Sequence, residues 1–393
     1  MKSQRGVTLI ELMVALLLAM LLSVAILLIQ RTLAFQNART SDIALRDNEA
    51  RAGMDLIAHD LSGAGFLFGG SQLPCDALLT YNSATTADFY ARFPVDAIAA
   101  SSGTAMPFTA TLTLNYPVAA AGIASDVLVI TAATGADNFS DATAPLVAVA
   151  PNAAYTPMTS GVLPLVSSTG VTAGHVALLK VPDSGKRACI RVPVTAIGAA
   201  SGSVNVASSG ALMPPNFYTG FAPQMAPNGL AGPLSNAELF QARLIDLGDP
   251  AAAATQTTTA FYIDGSANPW PTLMRATYSL LDDQIVGAPQ PIAAGVVSLQ
   301  LLFGVDPGNT GQVTAYETGA QLRTNVHQGA VLSIRVAMVT RALYADADFS
   351  NSAGTVPIAG GFASVPIPPA YSRHRYIVHQ TEVALRNCRW QRC

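Results

Sequence analysis

The chain has 393 residues, a net charge of -3 and only 11% charged residues, against about 25% in an ordinary soluble domain. That balance lacks the basic field needed to grip phosphate backbones, so no nucleic-acid partner is expected. The length suits one large domain plus an appendage, and the Ala, Gly, Ser, Thr and Pro that replace the charges suit a loop-rich, β-rich protein outside the cytosol.

From Val7 to Ile29 the sequence is apolar apart from Thr8, Glu11 and Ser23. A helix of that length spans roughly 35 Å, enough to cross a hydrocarbon core of about 30 Å. Lys2 and Arg5 precede it, so the positive-inside rule keeps the N-terminus cytoplasmic and exports everything after Ile29. The run is longer than a secretory signal, and Gln30-Arg31-Thr32 follows in place of a small-x-small cleavage site. A plain anchor leaves Glu11 unexplained. A carboxylate costs about 2.5–3.5 kcal/mol near mid-helix, somewhat less near the end of the span, and it calls for a partner.

Arg5-Gly6 followed by Val7-Thr8-Leu9-Ile10-Glu11-Leu12 resembles the type IV prepilin signature. The resemblance implies that residues 1–6 are a leader peptide. A prepilin peptidase would cut it between Gly6 and Val7 on the cytoplasmic side and methylate the new N-terminus on Val7. Val7 stands where Phe is commoner in that family. The resemblance also implies a role for Glu11, pairing with the N-terminal amine of a neighbouring subunit. A buried charge needs an opposite charge, and such pairs are best attested as setting register rather than adding stability.

Residues 30–61 continue as an amphipathic helix. Ile43, Ala50, Met54, Ile57 and Leu61 recur at three-to-four spacing, with Asp47 breaking the stripe and Arg46, Glu49, Asp55 and Asp60 largely off it. No Pro occurs between Val7 and Leu73, so one helix is expected from Val7 to about Leu61, punctuated at its end by Gly63, Gly65, Gly69 and Gly70. The stretch SGAGFLFGG at 62–70 ends a helix instead of opening one, and it matches neither Gly-rich nucleotide motif.

Strand signals follow. Val127–Thr131 and Val176–Val181 are short apolar or β-branched runs, and 296–303 and 331–339 alternate as half-buried antiparallel strands. Phe261–Asp264 and Leu273–Tyr278 flank a Gly/Pro-rich turn and suggest a hairpin. Loops are expected at 82–107, 132–170, 198–236 and 345–369. Several head segments resemble large PilW-type minor pilins: Asn48-Glu49-Ala50-Arg51, Asp60-Leu61, Ala64-Gly65-Phe66, Phe261-Tyr262-Ile263, Leu273-Met274-Arg275, Val297 to Asp306, and Val383 to Asn387.

No catalytic arrangement emerges. His59, His175, His327, His374 and His379 sit in no metalloprotease motif, and no nucleophile elbow occurs. His379 and Glu382 would point to opposite faces of a strand. Asp282-Asp283 reads as a solvated pair beside a turn, and Asp306-Pro-Gly-Asn309 as a turn and not a calcium loop. The basic residues near the C-terminus, such as Arg373, Arg386 and Arg389, read as a solvated strand edge. Neither enzyme activity, cofactor nor metal is expected. Cys75, Cys189, Cys388 and Cys393 make an even number, which in an exported chain suggests disulfides. Pairing Cys388–Cys393 would close a small terminal loop and leave Cys75–Cys189, with free thiols as the alternative.

The expected fold is α+β: a leader at 1–6, a pilin-type helix at 7–61 (transmembrane over 7–29, amphipathic over 30–61), and a large antiparallel β-rich head at 62–393. The resemblance implies a minor pilin of a type IV pilus that helps initiate assembly and forms the tip complex, with roles in adhesion and twitching motility. Its implied partners are other minor pilins, the major pilin, prepilin peptidase, the inner-membrane assembly platform, a large tip adhesin and, before assembly, inner-membrane lipid. A J-type pseudopilin of type II secretion and a membrane-anchored periplasmic binding protein are the alternatives.

Overall fold

The structure is a computed structural model. It describes residues 9–65, 77–84, 90–99, 105–106, 108–113, 125–133, 162–165, 168, 170–181, 188–198, 203–207, 210–213, 243–252, 256–266, 270–325, 327, 330–346 and 348–385.

One helix, α1, runs unbroken from Leu9 to Ser62. Every residue of it from 9 to 38 is exposed, whereas Asp42, Ala50, Gly53, Met54, Ile57 and Leu61 are buried. It stops where the glycines begin. Gly63 N–H bonds to Asp60 O at 3.2 Å and Ala64 N–H to Leu61 O at 3.1 Å, closing the last turn. Gly65 then adopts a left-handed φ of 77°, the conformation that terminates helices and costs glycine least. Its N–H reaches Thr131 O at 3.1 Å, so the chain passes directly from helix end to head.

The first strands are β1 (Ala77–Thr80), β2 (Tyr90–Arg92), β3 (Val95–Ala99), β4 (Ala105–Met106), β5 (Thr109–Thr113), β6 (Asp126–Ala133) and β7 (Val162–Pro164). Next come β8 (Val176–Val181), β9 (Ala188–Ile197), β10 (Ser203–Val206), β11 (Arg243–Gly248), β12 (Gln256–Asp264), β13 (Thr272–Ser279) and β14 (Gln290–Ala294). The last are β15 (Val296–Val305), β16 (Ala315–Glu317), β17 (Val331–Arg341), β18 (Thr355–Val356), β19 (Val365–Pro366) and β20 (Tyr376–Ala384), with a short helix α2 (Gly319–Thr324) after β16.

They form three principal sheets. An outer sheet is ordered β11-β8-β9-β1-β2, with β10 and β7 added along β9. A middle sheet is ordered β14-β13-β12-β6-β3, and a third β16-β15-β17-β20. Pairing is antiparallel except between β1 and β9, which run parallel. The fold is therefore α+β, as expected, with this one departure from an all-antiparallel head.

α1 covers a core shared by the middle and third sheets. Ala50, Met54, Ile57 and Leu61 meet Leu128, Phe261, Leu273, Leu299, Phe303, Ile334 and Met338. The other face of the middle sheet buries Phe108, Val127, Val129, Tyr262 and Tyr278. Strands buried on both faces lose the alternation of a half-solvated sheet. That corrects the half-buried reading of 296–303: β15 is buried throughout. Its polar residues are covered by the segment around β18 and β19, where the Gln300 amide donates to Ala363 O at 3.0 Å and accepts from Ala363 N–H at 3.0 Å. The expected loops are corrected too. Strands β2 to β4 lie within 82–107, β7 within 132–170, β10 within 198–236 and β18–β19 within 345–369. These strands are short and poor in long apolar runs, so tertiary pairing and not local pattern fixes them.

Candidate assembly interface

The first half of α1 presents Leu9, Ile10, Leu12, Met13, Val14 and then Leu16 to Ile29 with almost no break, all exposed. It is long and apolar enough to cross a membrane. Glu11 lies in its first described turn and is exposed. Gly6 and Val7 fall outside the described residues, as do Cys75, Cys388 and Cys393; of Cys189 only the backbone in β9 is described.

The second half of α1 is held to the head by polar side chains at four points. Arg39 pairs with Asp346 at 2.9 Å, and Asp346 also binds Arg375 at 2.9 Å. The Asp42 carboxylate accepts the Leu343 N–H at 2.7 Å. Arg46 pairs with Glu49 at 2.9 Å, and Glu49 accepts the Ala294 N–H at 3.1 Å. Asp60 pairs with Arg275 at 2.9 Å. Glu49 and Asp60, read from sequence as lying off the buried stripe, instead border it and serve as latches, with Arg46 bracing Glu49 from within the helix; Asp55 is exposed. At the membrane-proximal end the seat leaves a cavity of about 280 Å³ between Ile43 and Arg46 on the helix and Thr340, Phe349, Tyr376 and Ile377 on the head.

A second polar cluster joins the outer sheet to the middle one. Arg191 is fully buried and donates to both Asp283 oxygens at 2.7 and 2.8 Å, to Leu280 O at 3.0 Å and to Tyr81 O at 2.7 Å. Arg92 bonds to Asp283, Thr80 Oγ1 and Thr258 Oγ1, and its guanidinium lies 4.5 Å from the Phe108 ring centroid. Asp283 is therefore not solvated, contrary to the sequence reading. Burial alone would raise its pKa, but Arg92, Arg191 and the Asn82 amide hold the carboxyl below the usual range. Burial pulls the Arg92 guanidinium below its ordinary value.

The histidines are dispersed. His175 bonds Asp246 at 2.9 Å, His327 bonds Glu317 at 2.9 Å, and His374 bonds Ala342 O at 2.8 Å. His379 faces Asp47 of α1 at 3.8 Å, while Glu382 on the opposite face of β20 bonds Arg335 at 2.9 Å and Tyr316 at 2.6 Å. Among the described residues no group of three or more His, Cys, Asp or Glu could hold a metal. The Asp306 carboxylate is engaged by its own turn, accepting from Thr310 Oγ1 at 3.0 Å and Gly311 N–H at 2.6 Å.

A helix exposed and apolar over its first half, latched to a β-rich head by its second, defines a membrane-anchored helix-and-head subunit. A family model described as the prokaryotic N-terminal methylation motif matches residues 1–27. A second, described as the type IV pilus-assembly protein W, matches residues 260–387, about a third of the chain. No curated protein and no solved structure matches. Together the two family matches support a PilW-type minor pilin of a type IV pilus, a structural protein that interacts with other pilus components and is processed by prepilin peptidase. The methylation motif and the apolar helix support anchoring in the inner membrane and incorporation into the pilus.

Proposed function

We propose that this minor pilin helps initiate pilus assembly, occupies the tip complex and carries no enzymatic activity. The carrying observation is the size of the head beyond the helix seat. The outer sheet is built from residues 77–248, outside the matched region, and hangs on the seat side through the Arg92–Arg191–Asp283 cluster. A subunit repeated along a shaft has to fit its head beside the next copy, whereas a terminal subunit escapes that crowding. Its partners on this reading are the major pilin, the other minor pilins, the assembly platform and a large tip adhesin. Immunogold labelling is expected at filament ends in few copies; label along the whole shaft would overturn the tip position. Loss of exoprotein secretion with intact twitching in a deletion strain would favour the type II secretion pseudopilin instead.

The leader, 1–6, is removed between Gly6 and Val7, Val7 is methylated, and the mature chain consists of helix 7–61 and head 62–393. Glu11 then supplies the one carboxylate early in an apolar helix, and the amine created at a neighbour's Val7 is its charge partner. Glu11→Val is expected to leave cleavage intact and to reduce the variant's recovery in sheared filaments roughly tenfold or more, the scale of an unpaired buried charge. Intact-mass measurement checks processing, and normal incorporation of the variant would refute the pairing role.

A further inference from the structure

The third sheet ends in β20, a nine-residue strand with β17 on one side and, among the described residues, no strand on the other. Unpaired edges invite pairing with other chains, and proteins blunt them with short strands, prolines, bulges, lysines or covering elements. The other edges of this head carry such devices. β14 contains Pro291, sits at a register shift against β13, and has its Ala294 N–H taken by Glu49 of α1. At β3, the Ala97 N–H is taken by Asp96, and Ala97 O by Arg323 of α2. β11 is broken by a register shift at Asp246/Gly248, and β2, β7 and β16 have three residues each.

α1 crosses one face of β20, but the strand carries none of the devices that block an edge along its length. It contains neither Pro nor Lys, and it pairs with β17 from Tyr376 to Ala384 without a shift. Its one carboxylate, Glu382, is exposed and bonds along the sheet face to Ser333 and Arg335 of β17. The ladder fixes which backbone groups face outward. Ala342 N–H donates to Arg375 O at 2.8 Å, and Leu385 N–H donates to Leu332 O at 2.9 Å, both in register with the β17–β20 pairs. Alternation in an antiparallel ladder then turns the N–H and C=O groups of 377, 379, 381 and 383 toward β17. Those of Tyr376, Val378, Gln380, Glu382 and Ala384 point away from it.

We infer that this edge is a docking site for an extended segment of a neighbouring pilus subunit, which adds to the third sheet as a further strand. A row of alternating donors and acceptors is matched by another extended backbone, so main-chain pairing dictates the class of partner. The edge also continues the surface on which a neighbour would pack. α1 lies across β20, with His379 facing Asp47 and Ile377 beside Ile43. A subunit seated against the exposed side of α1 thus passes this edge. The partner's identity rests on the pilus reading; the openness of the edge does not.

Hydrogen exchange on the full-length chain tests this, comparing native cell envelopes with detergent-purified protein. The outward amides of Val378, Gln380, Glu382 and Ala384 are expected to exchange at least about tenfold more slowly in envelopes, while the inward amides of Ile377, His379, Thr381 and Val383 are protected in both. Equal rates for the outward amides would overturn the proposal. Protection already present in detergent, together with a dimer mass, would assign the edge to a second copy and equally overturn it. Immunoblotting of sheared filaments reports separately on the pilus reading, so the two can fail independently. Gln380→Pro removes one outward donor without touching the β17 ladder, and its recovery with other subunits is expected to fall about tenfold. If that variant misfolds, the exchange comparison on the unaltered chain still decides.

Discussion

Asp126 is half-buried and Asp283 fully buried; these two acids have opposite electrostatic settings and respond to pH in opposite directions. Asp126 starts β6 and accepts the Leu301 N–H of β15 at 2.9 Å, tying the middle sheet to the third. Burial pushes its pKa up to about 6, against the pull of that hydrogen bond and of Arg323. Because the folded value lies above the unfolded one of about 3.9, the folded head holds this proton more tightly. The contribution is full below about pH 4 and is lost as pH rises through about 6, a loss of roughly 3 kcal/mol by neutrality. Asp126→Asn keeps an acceptor for Leu301, so urea denaturation is expected to show higher stability at pH 7.5 and a flatter profile between pH 4 and 6. Asp283 is held below its unfolded value, so its contribution is present at neutral pH and disappears only on acidification through the folded pKa. Asp283→Asn tolerates the same left-handed backbone, φ 64°, but leaves two buried guanidiniums without a counter-charge. A loss of about 3–5 kcal/mol is expected in the same denaturation assay. Neither role was legible in the sequence. The two arginines lie far from Asp283 along the chain, and an Asp-Asp pair at a turn looks the same whether it is solvated or enclosed.

At the scale of elements, the helix seat depends on close approach at Gly53. A Cβ there would lie 3.4 Å from Ile292 Cγ2 and Leu273 Cδ2, room for a methyl and nothing larger. Gly53→Ala is expected to be neutral or to stabilise by up to about 1 kcal/mol through helix propensity. Gly53→Leu is expected to lift α1 from β14 and lower thermal stability by several degrees, about 1–3 kcal/mol of overpacking. Calorimetry on the pair checks both signs. Gly295, by contrast, is fixed by conformation: its φ is 78°, and a Cβ would come within 2.8 Å of Arg341 O. The elements that were legible are those with strong local pattern. Helix α1 ends one residue past the expected Leu61, β8 has the expected bounds, and β12 and β13 form the expected antiparallel pair. β3 (VDAIA) and β10 (SVNV) were not found, because their signal is a pairing partner distant in the chain. The interface residues divide in the same way. The apolar half of α1 and Glu11 announce themselves, whereas Arg39, Asp42, Glu49 and Asp60 look like an ordinary solvated flank until the head they grip is in place.

For the molecule as a whole, no residue of α1 from 9 to 38 is buried, so the head draws none of its core from the anchor. A chain begun at Gln30 is expected to move from the membrane to the soluble fraction with a melting temperature within about 2 °C of the full-length protein. A drop of ten degrees would mean that the anchor supports the head. The same separation has a mechanical side. The latches from Arg39 to Asp60 are spread over about 30 Å of helix and are all aligned along one axis. Tension applied to the helix end loads them in parallel, in shear, and they must yield together. A sideways force peels them one after another, starting at the end that carries the cavity beside Ile43. The joint between rod and head is therefore strong along the direction in which a fibre is pulled and compliant across it, so the head can tilt without detaching.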